Sequence, residues 1–305
     1  MAKADTFQYS EEFRQLIVNM HQGKENLPAY QSYIADHMGG DNSRLFNFRR
    51  YLSPEIRHHC GDLSSKRCLD FGCGTGATTV VLSENSKNIT AFDIDAKSIE
   101  ICKRRLKEHG LIDKVNIQCC PDFSQIADKV GKFDFILMNG VIEHIPLSMK
   151  GLRKQILLSL FNILNEGGYL YINDTPNRLW PRDTHTTGFW FTPWTQPGSK
   201  QVYHKAIRGG KHVENPETHS SGPLGLEERG AWGATFFEIK NYFSGKPFEI
   251  VNTLPGHDRH MAYSQITGKR KIFDNAAYMF FSSWTRIPIT TMAPYINNLV
   301  IRKNS

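Results

Sequence analysis

Apolar positions in the first sixty residues repeat with the 3.6-residue period of a helix. Ser10 is of a residue type that caps helices, and Asp41 or Asn42 can start a second helix that Pro54 then interrupts. The pattern therefore predicts a helical segment over residues 1–60. Its apolar positions are Phe13, Leu16, Ile17 and Met20 in the first helix and Leu45, Phe48 and Leu52 in the second.

From residue 67 onward, short apolar runs alternate with amphipathic segments, as strands and helices alternate in a parallel sheet. Such alternation requires right-handed crossovers, and it predicts an α/β fold with a doubly wound, mostly parallel seven-stranded sheet of the Rossmann-like class. Helices are expected to start near Ala77, Asp95, Leu152 and Thr235, with Gly167-Gly168 ending the third. The runs read as strands are Arg67–Phe71, Asn88–Phe92, Lys114–Cys119, Phe133–Met138, Tyr169–Asn173, Phe248–Thr253 and Tyr295–Arg302.

The character of the sequence changes after Asn173. All five tryptophans and six of the twelve histidines lie beyond this point, and residues 198–230 are polar and rich in glycine, proline and histidine. Such a composition predicts a long loop or lid on the substrate side. The predicted organisation is a helical segment (1–60), a ligand-binding core (61–173), a substrate-binding insertion (174–290) and a final sheet strand (291–305).

Composition limits the location and the partners of the protein. The net charge of +7 appears spread along the chain, which disfavours nucleic acid as a partner. No apolar run approaches the roughly 20 residues that span a bilayer, and the N-terminus lacks the apolar core of a signal peptide. The six cysteines include no C-x-x-C pair, so we expect reduced thiols. A cytoplasmic protein is therefore expected, and its oligomeric state is left open.

A glycine-rich loop follows the first predicted strand. Asp70 lies at the end of that strand, and Gly72, Gly74 and Gly76 allow a tight turn that brings the backbone close to a ligand. The next helix begins at once, so its free N–H groups point toward the bound molecule. Because ligands bind beyond the carboxyl ends of strands in open α/β sheets, this loop is the predicted binding site.

Acidic residues at the ends of the next strands indicate what binds there. Asp93, at the end of the second strand, can accept both hydroxyls of a ribose, and Ile94 follows it in the predicted site. Asp122, near the end of the third strand, can accept from an adenine amino group, while Phe123 can pack on the ring. Asp70 can accept from an ammonium group. The set predicts a cofactor with a nucleoside at one end and an amino group at the other.

Five segments resemble motifs of the class I S-adenosylmethionine-dependent methyltransferases, in particular the small-molecule branch that includes the ubiquinone-biosynthesis enzymes. The resemblance covers residues 67–173 and implies S-adenosylmethionine as the cofactor, with Asp70 and Gly72 by its methionine end and Asn139 lining it through the backbone. The segments are Cys68-Leu-Asp-Phe-Gly-Cys-Gly-Thr-Gly-Ala77, Ala91-Phe-Asp-Ile-Asp95, Pro121-Asp-Phe123, Phe133–Pro146 and Leu164–Tyr171.

The glycines alone also fit a dinucleotide. Gly72-x-Gly74-x-x-Ala77 matches the dinucleotide fingerprint, and Asp93 follows at about the right spacing of 20 residues. Asp70 suits an ammonium group but would be poorly placed beside a pyrophosphate. The additional Gly76 and the helical segment ahead of the first strand also favour the methyl donor.

We predict no metal site. Some quinone-precursor enzymes carry Glu-x-x-Glu-His after the fourth strand for a divalent metal, whereas this chain has Gly140-Val-Ile-Glu143-His144 and lacks the first carboxylate. The segment Gly256-His-Asp-Arg-His260 offers two histidines without a clear third ligand, too few for a metal site.

Two histidines are the candidates for catalysis. Methyl transfer from a sulfonium is an in-line displacement that depends on positioning, and a hydroxyl acceptor often needs a base as well. His144, just after the fourth strand, serves either as that base or to pin its turn by a hydrogen bond. His185 is the second candidate, with the alternative that its loop neighbours satisfy it. Other candidate acceptor contacts are the aromatic residues Trp180, Trp190, Phe191 and Trp194 and the basic residues Arg178 and Arg182.

The sequence thus predicts a methyltransferase that acts on a small molecule or glycan, first of all at a hydroxyl oxygen. One alternative is an RNA or DNA methyltransferase. It is disfavoured because the fourth strand ends in Asn139-Gly140-Val141, without the Pro-Pro of enzymes that methylate base amino groups. The other alternative is a non-catalytic S-adenosylmethionine-binding partner protein, against which the intact motifs and the long aromatic insertion argue.

Overall fold

The computed structural model describes residues 7–22, 30–41, 43–121, 130–211, 213–214, 220–253, 284–288 and 291–305. The chain divides into two compact units, Met1–Pro121 and Asp122–Ser305, and each is described by itself. Asp122 and Phe123, assigned to the adenine, lie outside the described residues, as does the segment Gly256–His260.

The first unit begins with helices α1 (Glu11–Met20), α2 (Tyr30–His37), α3 (Arg44–Asn47) and α4 (Ser53–Cys60), with a π-helical turn between α3 and α4. Ser10 caps α1 as predicted, because its Oγ accepts from the N–H of Phe13 at 3.1 Å. The helix predicted to start at Asp41 or Asn42 corresponds to α3 and differs from the prediction. Ser43 is its cap, and Pro54 does not interrupt it but lies in the first turn of α4, where a proline removes no helical hydrogen bond.

Three parallel strands follow in the first unit, in the order β3-β2-β1. They are β1 (Arg67–Phe71), β2 (Asn88–Asp93) and β3 (Val115–Cys119), and the helices between them are α5 (Ala77–Asn85) and α6 (Ala96–Glu108). Asp95 caps α6 by accepting from the N–H groups of Lys97 and Ser98. Each of these strands lies within one residue of its predicted bounds, because each is a short apolar run between strong turn signals.

The second unit has four sheet strands in the order β4-β5-β9-β7, with β9 antiparallel to both neighbours. A separate pair joins β6 to β8. The strands are β4 (Phe133–Asn139), β5 (Leu164–Asn173), β6 (Thr175–Pro176), β7 (Phe248–Ile250), β8 (Tyr295–Ile296) and β9 (Leu299–Lys303). The helices are α7 (Leu152–Asn162), α8 (Lys200–Arg208), α9 (Gly222–Glu228) and α10 (Phe236–Tyr242).

The fold class is the predicted one. In the described part of the chain, the three strands of the first unit and the four of the second are the seven strands of a mostly parallel, Rossmann-like sheet. No helix among the described residues is both long enough and apolar enough to cross a bilayer.

Several element bounds in the second unit differ from the prediction. Helix α7 ends at Asn162, so Gly167-Gly168 does not stop a helix but lies inside β5, where the register against β4 shifts. The last predicted strand divides into β8 and β9 around Asn298, whose φ of +52° is incompatible with strand geometry. The strand that starts at Phe248 stops at Ile250 and continues as a 3₁₀ turn.

Two helices occupy the region expected to be a long loop. Ser199 caps α8, which buries Val202 and Ala206 on one face, and α9 begins at Gly222 with a proline in its first turn. The polar composition that predicted a loop belongs instead to the exposed face of α8 and to the short segments around it.

A buried arginine joins the N-terminal helices to the loop after β1. Arg105 on α6 is 0% exposed, and its Nε donates to the carbonyl of Thr75 at 2.8 Å. Its Nη1 donates to the Tyr9 hydroxyl at 2.5 Å and to the His37 carbonyl at 3.3 Å. The guanidinium also lies over the rings of Tyr9 and Phe13, at 4.9 and 4.7 Å. Burial lowers the pKa of Arg105, and no acidic side chain in the described residues forms an ion pair with it.

We expect Arg105→Met to lower the free energy of unfolding by about 2–4 kcal/mol, because Thr75 and His37 carbonyls and the Tyr9 hydroxyl lose a buried donor. The neighbouring Arg104→Met is the matched control, since Arg104 pairs at the surface with Glu108 and Glu12 and is expected to change stability much less. Urea unfolding followed by circular dichroism measures both. Equal midpoints for the two variants would refute the role of Arg105.

Candidate functional site

The loop after β1 is held against the end of β2. The N–H groups of Gly72 and Cys73 both donate to the carbonyl of Phe92, at 2.8 and 2.9 Å. Gly76 has a φ of +83°, and a Cβ there would lie 2.6 Å from the Sγ of Cys102 on α6. Gly74 has a φ of +50°, and a Cβ there would meet no atom of the described residues within 4 Å. Gly76 is therefore required for packing between α5 and α6, whereas the loop opens onto free space at Gly74.

Asp70 is buried at the end of β1 and is only half satisfied. Its Oδ2 accepts from the hydroxyls of Thr78 and Thr79, at 2.8 and 2.7 Å, and both threonines lie in the first turn of α5. Its Oδ1 has no hydrogen-bond partner among the described residues. Burial raises the pKa of Asp70 to about 6, although the two hydroxyl bonds oppose that rise. A buried carboxylate oxygen without a donor is rare, and it suits an ammonium group brought by a ligand.

Asp93 holds the loop in place. Its Oδ2 accepts from the N–H of Gly74 at 2.7 Å, and its Oδ1 accepts from the N–H of Asp95 at 3.0 Å. Each carboxylate oxygen has a second lone pair, so both ribose hydroxyls can still donate to it. Burial raises the pKa of Asp93 despite these bonds. The adjacent Ile94 exposes 46% of its surface, an apolar side chain beside the predicted ribose position.

In the second unit, the end of β4 is tied to the end of β5. The Oδ1 of Asn139 accepts from the side-chain amide of Asn173 at 2.8 Å, and the N–H of Gly140 donates to the carbonyl of Asn173 at 2.9 Å. The Asn139 side chain is therefore engaged within the sheet. Its assignment to the cofactor through the backbone stays a prediction.

Three segments of the second unit meet beyond β4: residues 142–148, 183–187 and 227–234. Arg153 on α7 joins the first to the third, because its Nε donates to the carbonyl of Ile145 at 2.6 Å and its Nη1 to that of Gly233 at 2.5 Å. The hydroxyl of Thr186 donates to the carbonyl of Arg229 at 2.6 Å and joins the second to the third. The junction is thus held by buried hydrogen bonds between residues far apart in sequence.

His144 lies in this junction, and a hydrogen bond fixes which of its ring nitrogens carries the proton. Its Nδ1 lies 2.7 Å from the carbonyl of Glu228, and a carbonyl only accepts, so Nδ1 carries the proton. Nε2 is left with a lone pair, 4.0 Å from Oε1 of Glu143. The side chain of His144 is 42% exposed. Its second ring nitrogen is therefore a proton acceptor that a ligand can reach.

Glu143 is a buried carboxylate without a hydrogen-bond partner. Its side chain is 0% exposed, and neither oxygen finds a donor among the described residues. Burial raises its pKa to about 7, and the neighbouring His144 works against that rise. A Cβ at Gly230, whose φ is +87°, would lie 3.0 Å from Cγ of Glu143 and 2.8 Å from Cδ2 of His185. Only glycine at position 230 lets these two side chains approach.

His185 is held next to His144 by a network on Asp183. The carboxylate of Asp183 accepts from the N–H groups of His185, Thr186 and Thr187, at 2.9, 3.0 and 2.6 Å. The rings of His185 and His144 meet edge to face, with centroids 5.6 Å apart. The pKa of His185 is lowered, chiefly because surrounding protein withdraws water from its ring and also because His144 and Arg229 lie near it.

The structure brings the two predicted catalytic histidines together and adds Glu143. One ligand atom from each of Glu143, His144 and His185 lies within 4.8 Å of the others. Two imidazoles and a carboxylate suit either proton transfer or a divalent transition metal. In a closed shell with bonds of about 2.1 Å, ligand atoms would lie roughly 3–3.4 Å apart. The observed spacing of 4.0 Å between Nε2 of His144 and Oε1 of Glu143 is wider. The absence of a metal stays a prediction.

Comparison with known proteins adds the family. Residues 42–213, more than half of the chain, match the family model of a methyltransferase domain. The chain belongs to this methyltransferase family. The expected class I methyltransferase fold is confirmed, and S-adenosylmethionine is the cofactor of the domain. The open space at Gly74 and the unpaired oxygen of Asp70 fit a ligand that carries an ammonium group.

Individual relatives match part of the methyltransferase. A ubiquinone biosynthesis O-methyltransferase of Bordetella pertussis is 27% identical over 154 residues, 45% of this chain and 61% of the relative. An uncharacterized Synechococcus protein is 34% identical over 112 residues, 36% of this chain and 25% of its own length. The chain thus spans about three fifths of the length of the ubiquinone-biosynthesis relatives that it matches most fully. The N-methyltransferase NodS of Bradyrhizobium japonicum, solved with S-adenosyl-L-homocysteine, is 15% identical, with a TM-score of 0.42 over 77% of this chain and 87% of that one.

We expect Asp93→Ala to weaken binding of S-adenosylhomocysteine about a hundredfold, because two hydrogen bonds to a carboxylate are lost at roughly 1.5 kcal/mol or more each. Isothermal titration calorimetry gives the affinity. Asp95→Ala is the matched control, since it removes the cap of α6 but leaves the ribose position intact. Affinities of the two variants that agree within threefold would show that Asp93 does not hold the ribose.

Binding of S-adenosylhomocysteine should also weaken as the pH falls through about 6. The pKa of Asp70 is raised to about 6 in the free protein, and an ammonium group beside Oδ1 lowers it, so the ligand displaces a proton below that pH. The dissociation constant should rise by at most tenfold per pH unit between pH 6 and pH 5 and stay level above pH 7. In Asp70→Asn the same titration should be flat. An equal pH dependence in that variant would assign the proton to another group.

Proposed function

We propose that the methyltransferase moves the methyl group of S-adenosylmethionine to a hydroxyl oxygen of a small-molecule or glycan acceptor, with His144 as the base. The observation that carries this proposal is the 2.7 Å contact between Nδ1 of His144 and the carbonyl of Glu228. That contact fixes the tautomer and leaves Nε2 free to accept a proton. When bound, S-adenosylmethionine supplies an electrophilic methyl group on a sulfonium.

A hydroxyl acceptor explains why a base is present. The proton of the hydroxyl must leave as the new bond between oxygen and carbon forms, and a positioned histidine takes it up in the transition state. The side chain of His144 is 42% exposed, so an acceptor can reach Nε2. The relative from Bordetella pertussis is named as an O-methyltransferase, which also supports oxygen as the atom methylated.

Glu143 stabilises the protonated form of His144. Once Nε2 has taken the proton, a positive imidazolium lies 4.0 Å from a buried carboxylate oxygen that has no hydrogen-bond partner in the described part of the chain. A negative charge at this distance favours the protonated form of the imidazole. The carboxylate is effective only when ionised, and its pKa of about 7 places that change near neutral pH. Activity should therefore rise as the pH increases through about 7.

His185 acts as a positioning residue and not as the base. Its lowered pKa makes it a weaker proton acceptor than an ordinary histidine, and it stays neutral at physiological pH. A neutral imidazole whose backbone is fixed by Asp183 can hydrogen-bond the acceptor beside His144. The first and second catalytic candidates of the sequence, His144 and His185, thus receive different roles in this proposal.

We expect His144→Ala to lower the turnover number by about a hundredfold to ten-thousandfold, the usual contribution of a general base. Transfer of tritiated methyl groups into the small-molecule fraction of a cell extract measures the rate without a known acceptor. Affinity for S-adenosylhomocysteine should stay within a few-fold of the wild type. His204→Ala, an exposed histidine on α8, is the control and should keep the full rate.

Three results would contradict this proposal. A wild-type rate in His144→Ala would show that His144 is not the base. Label in the RNA or protein fraction alone would identify a different acceptor, and no transfer despite tight cofactor binding would favour a non-catalytic partner protein. A chelator should leave the rate unchanged. If it abolished transfer and a divalent cation restored it, Glu143, His144 and His185 would be a metal centre instead.

A further inference from the structure

Three large aromatic side chains lie exposed on one loop of the second unit. Trp190, Phe191 and Trp194 are 59%, 56% and 58% exposed. Their rings touch in a row, with centroids 6.2 Å apart in the first pair and 5.5 Å in the second. We call residues 188–195 the aromatic loop. Contiguous exposed apolar surface of this kind marks a site of interaction.

The backbone of the aromatic loop is fixed by buried residues and hydrogen bonds. Its exposed rings therefore belong to an ordered part of the fold. Thr192 and Pro193 are buried between the exposed rings. The hydroxyl of Thr195 accepts from the indole N–H of the fully buried Trp232 at 3.0 Å. The N–H of Phe191 donates to the carbonyl of Pro181 at 2.5 Å, with Phe191 in the left-handed region at a φ of +66°. The backbone is fixed inward while the rings point outward.

Positive charge surrounds this loop. The ring of Phe189, next to Trp190, has the ammonium groups of Lys205 and Lys211 at 4.5 and 5.9 Å from its centroid. Helix α8 buries Val202 and Ala206 and turns its basic side chains outward. The exposed basic side chains of this region are Arg182, Lys200, Lys205, Arg208 and Lys211.

Basic side chains outnumber acidic ones within residues 178–211. Residues 178–211 contain six basic residues and one acidic residue, Asp183. The carboxylate of Asp183 is buried and accepts from backbone N–H groups, so it does not neutralise the surface. Among the described residues, no acidic side chain forms an ion pair with Lys200, Lys205, Arg208 or Lys211. Residues 178–211 thus carry a net charge of +5.

We propose that the aromatic loop and α8 dock the methyltransferase on a membrane surface rich in anionic lipid. Exposed tryptophan and phenylalanine enter the headgroup region of a bilayer, and neighbouring lysines and arginines attract acidic lipids. Ile207 and Trp180, 47% and 38% exposed, extend the apolar part. Bases also stack on aromatic ring faces, so binding to single-stranded nucleic acid is the competing outcome, which an RNA oligonucleotide tests.

Flotation with lipid vesicles tests the proposal. Full-length protein should float with vesicles of phosphatidylcholine and phosphatidylglycerol at 3:1 and remain behind with phosphatidylcholine alone. Binding should weaken as salt is raised, because exposed charges are screened. Failure to bind the anionic vesicles, or binding only to a single-stranded RNA oligonucleotide, would overturn the proposal.

Variants locate the docking surface. Lys200→Gln, Lys205→Gln and Arg208→Gln together should weaken vesicle binding about a hundredfold, at roughly fivefold for each charge. Trp190→Ala with Trp194→Ala should weaken it at least about tenfold by removing apolar insertion. The matched control is Lys103→Gln with Lys107→Gln, two exposed lysines on α6, which should bind like the wild type.

Melting temperature and affinity for S-adenosylhomocysteine show that each variant is folded. If the surface variants and the control pair bind vesicles equally, docking depends on net charge alone and the assignment to this surface is wrong. The vesicle assay contains no methyl acceptor, so its outcome is independent of the proposed base.

Discussion

The hydrogen bond between the N–H of Gly74 and the carboxylate of Asp93 is the contact on which the first unit depends. It holds the turn after β1 in a left-handed conformation that leaves open space at Gly74. The next residue, Thr75, accepts from the buried Arg105, which in turn binds Tyr9. The predicted cofactor loop is thus fixed by β2 and α6, and α6 is held by residues of the N-terminal helix and the segment before it. Helices ahead of the sheet therefore support the cofactor loop, although none of them carries a cofactor motif.

The strands of the first unit could be predicted from the sequence because the information that specifies them is local. Strands β1 to β3 are short apolar runs, and Asp70 and Asp93 lie at the ends of β1 and β2, with the glycine loop directly after Asp70. Local spacing did not reveal that Asp93 also fixes Gly74, or that one oxygen of Asp70 is engaged by Thr78 and Thr79. These roles depend on how the turn folds back, which residue types alone do not specify.

The junction in the second unit could not be predicted because its partners are distant in sequence. His144 takes its tautomer from the carbonyl of Glu228, 84 residues away, and a backbone carbonyl leaves no mark on the sequence. Gly230 leaves the space that the side chains of Glu143 and His185 occupy. In the sequence alone it cannot be distinguished from any other loop glycine. The net charge follows directly from the sequence, but the value for the whole chain does not show the excess of basic residues in residues 178–211. Helix α8, which presents part of that excess, lies in a region whose composition predicts a loop.

A shared physical feature links the two candidate sites. Asp70 and Glu143 are buried carboxylates with at least one oxygen that has no donor among the described residues, and burial raises their pKa values to about 6 and about 7. Such a carboxylate lowers the stability of the fold in its charged form, so folding stability does not explain its presence. A positive charge that arrives only during function removes the cost. We propose that for Asp70 this charge is the ammonium group of the cofactor, and that for Glu143 it is the imidazolium of His144. Buried carboxylates with raised pKa values are typical of sites that bind a ligand or take up a proton during function.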